Sequence, residues 1–116
     1  MNISDEYIKI VKNKIGYLKY SVITDNEIKE IITNSVYAYL GPNYHSVAQD
    51  QFDKILQNNS FKSIVFGIAM QEQGLFALQC ELTHPNDIQL GSIKALKLLI
   101  NVGRKLEKNG RKKLGL

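Results

Sequence analysis

Eight cations crowd the segment from 94 to 113: Lys94, Lys97, Arg104, Lys105, Lys108, Arg111, Lys112 and Lys113, against a single acid, Glu107. The segment carries +7 while the rest of the chain sums to −3, so one stretch generates the overall +4. Both arginines of the chain, Arg104 and Arg111, lie in it. Cations at this density attract anions, either the phosphate backbone of a nucleic acid or carboxylates on a protein surface. A less specific account is a solvated helix face whose last turn the helix dipole favours, at about 0.3–1 kcal/mol per cation. Eight like charges in so short a span exceed what dipole compensation needs, which points to an anionic partner. No aromatic residue follows Phe76, and the six tyrosines all lie between Tyr7 and Tyr44. A base-stacking platform interleaves rings with its cations. This segment therefore suits phosphate backbone or an acidic protein surface better than bases.

Residue types that could catalyse do not converge. The histidines, His45 and His84, each sit beside a turn, and the only cysteine is Cys80. Two histidines and one cysteine offer no zinc spacing. Gly67 to Gly74 lacks the Lys-Ser/Thr that completes a phosphate-binding loop. Asp50 and Asp53 lie one helical turn apart, as acids on helix surfaces routinely do. Cys80, among apolar neighbours, reads as a small buried hydrophobe in a reducing compartment. The expectation is a protein with no catalytic residues, no metal ligands and no cofactor.

The elements that must position the cations are legible in part. At 116 residues and 44% hydrophobic, the chain has room for one domain with an ordinary core. Ser4 predicts a helix start, with Tyr7, Ile8, Val11 and Ile15 on one face and Gly16 as its stop. Thr24 and Glu27 have capping-box spacing, with Ile23 and Ile28 at the staple positions. A stripe of Ile28, Ile31, Ile32, Val36, Tyr39 and Leu40 follows, and Gly41-Pro42 ends it, predicting a helix over 25–40. Tyr37 and Tyr39 face different ways on it, so at most one is buried with the stripe; ordinary partial burial of these tyrosines is the first expectation, and an exposed contact patch of the other with Tyr44 is the alternative. Ser46 and Gln49 repeat the capping-box spacing ahead of Ala48, Phe52, Ile55 and Leu56, and Asn58-Asn59-Ser60 closes that third helix. Between the first two helices, 17–23 reads equally as a strand or a linker.

From Phe61 the period changes. Ile64, Phe66, Ile68 and Met70 alternate with smaller residues, as do Phe76, Leu78, Cys80 and Leu82 beyond Gln71-Glu72-Gln73-Gly74. That is a β-hairpin pattern, with Gly74 in the turn. Leu75, Leu78 and Leu82 also fit a helical period, so a helix remains open here. After His84-Pro85-Asn86 a last helix runs from about 92 to 108, with Ile93, Leu96, Leu99, Ile100, Val102 and Leu106 inward and Gly103 allowing close approach. Lys94, Lys97, Arg104, Lys105 and Lys108 share its opposite face. Asn109-Gly110 ends it. The expected fold class is α+β: three N-terminal helices, a hairpin over 61–83 and a long basic C-terminal helix. It forms a single domain over 1–116, with 109–116 as a short basic tail.

The stretch from Val11 to Leu40 resembles the opening of small bacteriophage head–tail connector (adaptor) proteins. The likeness lies in a short first helix, Thr24-Asp25-x-Glu27-Ile28, then Ile31-Ile32 and a closing Tyr39-Leu40-Gly41. The resemblance implies helices packed in a ring of identical subunits, with a hairpin or loop and a C-terminal segment docked on the portal or the next ring. A hairpin over 61–83 departs from that family, which is mainly helical there. The expected function is a non-enzymatic assembly or interaction protein, a virion connector in that reading. It would work as a homo-oligomer and dock through Lys94, Lys97, Arg104, Lys105, Lys108, Arg111, Lys112 and Lys113 onto an acidic protein surface or its own subunits. The alternative is a nucleic-acid-binding accessory or regulatory protein that contacts phosphates through the same lysines. No apolar stretch follows Met1, and the longest apolar run, Ile64 to Met70, is too short to span a bilayer. The expected location is the cytoplasm, or the virion for a connector, with no membrane partner.

Overall fold

The computed structural model describes residues 2–15, 23–83 and 93–116, and every regular element among them is helical. The order is α1 (Asp5–Lys14), α2 (Asp25–Leu40), a 3₁₀ segment (Gly41–Ser46), α3 (Gln49–Gln57), α4 (Asn59–Thr83) and α5 (Ile93–Lys113). Local signals set the first boundaries. Ser4 Oγ accepts from Tyr7 N at 3.2 Å, and Asp5 and Glu6 stand at the positive end of α1. Thr24 and Glu27 close a full capping box on α2. Gly41 ends that helix at φ 72°, a left-handed conformation open to glycine. The third start differs from expectation: Ser46 closes the 3₁₀ segment, and α3 begins at Gln49 without a side-chain cap. Gln49 instead exchanges hydrogen bonds with the backbone of Asn2. Asn58 separates α3 from α4, and its Oδ1 accepts from Phe61 N at 3.0 Å.

The β-hairpin expected over 61–83 is absent; those residues lie inside α4, so the α+β class is overturned in favour of an all-helical fold. The reason is the position of α4. It is the spine of the molecule, packed on one side by α1, α2 and α3 and on the other by α5. Phe61, Val65 and Ala69, at helical spacing, join the main core with Ile8, Val11, Ile28, Ile32, Val36 and Phe52. Ser60, Gly67 and Gly74 lie on the opposite side of α4, against α5. A helix buried on two sides needs apolar residues at nearly every angle, and this erases the 3.6-residue period that identifies a surface helix. The leftover alternation of Ile64, Phe66, Ile68 and Met70 imitates a strand. Gly74, read as a hairpin turn, is helical and faces Leu96 and Ile100. The strand-or-linker segment at 17–23 lies, except for Ile23, outside the described residues.

α4 and α5 touch backbone to backbone. A Cβ on Gly67 would lie 2.5 Å from Glu107 N and collide with the Gly103 carbonyl. One on Gly103 would lie 2.5 Å from the Gly67 carbonyl oxygen, and one on Gly110 would strike Ser60 O. Paired positions 60 with 110, 67 with 103 and 74 with 96 define an antiparallel register with a seven-residue step. Gly110 is thus a packing residue and not a stop. α5 continues through it to Lys113, so most of the expected 109–116 tail is helix.

The chain then ends in a regular motif. Leu116 N donates to Arg111 O at 2.8 Å and Gly115 N to Lys112 O at 3.2 Å, with Gly115 at φ 75°. This is the Schellman arrangement, which satisfies the last carbonyls of the helix.

Replacing Gly67 by Ala tests the seam. Helix propensity alone would stabilise the chain by about 1 kcal/mol. Overpacking against backbone costs about 1–3 kcal/mol or more, so a net loss is expected, seen as a lower urea midpoint. Asn109→Ala, at an exposed position of α5, should raise the midpoint slightly. A Gly67→Ala protein more stable than the parent would show that the helices do not meet there.

Candidate docking face and acidic groove

Among the described elements α5 packs against α4 alone, and most of its residues are exposed. Leu96, Leu99, Ile100 and Gly103 are buried and Leu106 is half-buried, whereas Ile93 and Val102, expected inward, are largely exposed. The outward arc carries Lys94, Lys97, Arg104, Lys105, Lys108, Arg111 and Lys112, because the helix runs through Gly110 to Lys113, five residues beyond its expected end. Lys113 falls outside the arc, on the flank that bears Val102. Arg111 is half-buried and the others are exposed.

The single acid of the segment is committed to the seam. Glu107 Oε1 accepts from Gln71 Nε2 at 2.7 Å, and Gln71 also donates to the Gly67 carbonyl at 3.1 Å. Glu107 Oε2 accepts from Arg111 Nε at 2.9 Å. Among the described residues, no other cation of α5 pairs with an acid. The remaining ion pair, Lys12 with Asp25, ties α1 to the start of α2. The Schellman turn brings Leu116 beside the arc, where it lines a shallow depression of about 420 Å³ with Arg104, Lys108, Arg111 and Lys112. The face is thus cationic with an apolar edge. Sequence reasoning missed that edge by taking Gly110 as the helix stop; Gly115, two residues after Lys113, was the signal for the true one.

A second feature was not legible from sequence. A groove of about 460 Å³ runs between α2 and α4, on the side of α4 away from α5. Its floor includes Ile31, Leu75 and Phe76, and its rim carries Glu27, Glu30 and Glu72. Leu75 is 52% exposed and Phe76 42%. Burial, then the neighbouring charges of Glu27 and Glu30, push the Glu72 carboxyl above its ordinary range. The residues that make this groove are separated by some forty positions, so no local pattern announces it.

The other chemistry-bearing residues have structural surroundings. The His45 ring stacks on Tyr44, with centroids 3.8 Å apart, and Tyr44 meets Tyr37 edge to face at 5.5 Å. Tyr37 and Tyr39 are both exposed and Tyr44 is half-buried. The Tyr7 hydroxyl donates to Leu56 O at 3.0 Å, and burial raises its pKa well above the ordinary phenol range. Cys80 is half-buried beside Ala77 and Leu96. Asp53 Oδ1 accepts from Gln49 Nε2, and Asp50 is exposed. His84 lies outside the described residues. Among the described residues, no group of three His, Cys, Asp or Glu could hold a metal ion. No helix there is long and apolar enough to cross a membrane. No protein-family model, curated protein or solved structure matches this chain.

Glu72 gives a pH-dependent prediction. Its folded-state pKa is raised, so between the unfolded and folded values the folded chain binds more protons. Stability from this group therefore falls as pH rises through that interval, and the ionised carboxylate opposes folding at neutral pH. Glu72→Gln should raise the melting temperature at pH 7, with the gain shrinking as the pH falls through the acid range. A gain equal at pH 3 and pH 7 would remove charge crowding as its cause.

Proposed function

We propose that this chain is a non-enzymatic assembly protein that docks onto an acidic protein surface through the outward face of α5. The observation that carries this reading is the isolation of that face: among the described residues α5 has α4 as its only helical neighbour, and its cations, Arg111 aside, pair with no acid. Unpaired surface cations contribute little to the stability of a lone domain. They are well placed to steer association and to pair across an interface. A protein partner is favoured over nucleic acid because apolar groups flank the cations. Leu116 lies among them, and Leu98, on the outer side of α5, is 64% exposed. Phosphate backbone offers such groups nothing.

A virion head–tail connector is one setting for this role. The hairpin over 61–83 that departed from the connector pattern is absent, and the chain is helical there. Docking through a hairpin or loop and a C-terminal segment is what the resemblance implies.

Binding to a glutamate-rich helical peptide and to a short DNA duplex, each measured over a salt series, tests the proposal. The protein should bind the peptide, and Arg104→Glu with Lys108→Glu and Lys112→Glu should weaken binding at least about tenfold, or about 1.4 kcal/mol. Duplex binding that falls steeply with salt, with no peptide binding, would replace the proposal by the phosphate-backbone alternative.

A further inference from the structure

We infer that the acidic partner of α5 is a second copy of this chain, and that the docking site is the groove between α2 and α4. The inference rests on the docking role proposed above and supplies the partner. Its basis is the match between two surfaces of one molecule. The groove joins an apolar floor, Ile31 with Leu75 and Phe76, to a carboxylate rim of Glu27, Glu30 and Glu72. The C-terminal half of α5 joins an apolar group, Leu116, to Arg104, Lys108 and Lys112. The two surfaces are complementary: on one side cations are in excess, with Glu107 already committed to Gln71 and Arg111, and on the other three carboxylates form no ion pair among the described residues.

The fold prevents one copy from joining its own two surfaces. α2 and α5 lie on opposite sides of the α4 spine and make no contact with each other. The complement can be met only between molecules. The two surfaces differ, so the contact is heterologous, and repetition gives a closed ring or an open filament. Crowding of three carboxylates around exposed Leu75 and Phe76 disfavours the empty groove. Burial first, and the charges of Glu27 and Glu30 after it, raise the Glu72 pKa. Cations arriving from a neighbour relieve the repulsion, and Leu116 covers apolar surface. Glu27 also holds the α2 capping box through Thr24, which makes Glu30 and Glu72 the better positions to alter.

Sedimentation velocity over a range of protein concentrations tests the inference by charge exchange. The parent should gain mass with concentration and lose it with added salt. A groove variant, Glu30→Lys with Glu72→Lys, should be monomeric, as should a helix variant, Arg104→Glu with Lys108→Glu. An equimolar mixture of the two should associate again, because the reversed groove accepts the reversed helix. The association constant in the mixture should exceed that of either variant alone by at least about tenfold. Circular dichroism confirms that both variants keep their helices. If either loses them, the neutral pair Glu30→Gln with Glu72→Gln serves instead and should weaken association without charge reversal.

A parent that stays monomeric at every concentration, or folded variants whose mixture does not reassociate, would overturn self-docking. A monomeric parent that still binds the glutamate-rich peptide leaves the docking role standing and removes only the second copy as partner. Failure in both assays removes both.

Discussion

The contact on which the rest of the molecule depends is the backbone-to-backbone seam between α4 and α5. Gly67 and Gly103 each occupy the space where the other's side chain would begin, and Gly110 sits equally close to Ser60. Seven-residue spacing keeps these small residues on one stripe of each helix, as a sustained heptad does in supercoiled pairs. Glycine inside a helix costs about 1 kcal/mol relative to alanine, and the pair accepts that cost at four buried positions of the seam. Close approach repays it with dense dispersion contact along two long helices. The seam also fixes register. A slip of one residue would set Phe66 or Ile68, or Val102 or Arg104, where only a glycine fits.

That geometry decides what α5 can do. A helix held by backbone contact to one neighbour needs no second neighbour, so its outward arc remains open and can be as charged as function requires. Only Leu99, Leu106 and Leu114 extend from this C-terminal segment toward the main core. The body on the far side of α4 is conventional, with capped helices around Phe52, Phe61 and a cluster of isoleucines and valines. The molecule is elongated, 48 by 27 by 21 Å, with the basic arc of α5 and the carboxylate-rimmed groove on different sides of α4. Such separation suits head-to-tail association.

Local physics was readable in the sequence and non-local physics was not. The Ser4 cap, the Thr24–Glu27 box and the Gly41 stop each depend on residues a few positions apart, and all three are present. The basic arc was readable for the same reason, since helical spacing alone places Lys94, Lys97, Arg104, Lys105 and Lys108 together. The error at 61–83 came from a pattern that depends on tertiary position. A helix packed on both sides loses its amphipathic period, and Gly74 looked like punctuation when it was a contact. Gly110 misled in the same way. The heptad from Gly103 to Gly110, matched by Gly67 to Gly74, was the available clue that these glycines pair. The groove could not be foreseen, because Glu30 meets Glu72 only after α2 has packed on α4.

The account joins a glycine seam, an isolated cationic helix and an acidic groove into one assembly mechanism. Lysine acetylation rates, resolved by mass spectrometry in dilute and in concentrated protein, test it most directly. Association should slow Lys105, Lys108 and Lys112 and leave Lys9 and Lys54, exposed on α1 and α3, unchanged. Rates that do not change with concentration at any α5 lysine, or that slow equally at all five positions, would contradict the claim that this face of α5 is the docking element.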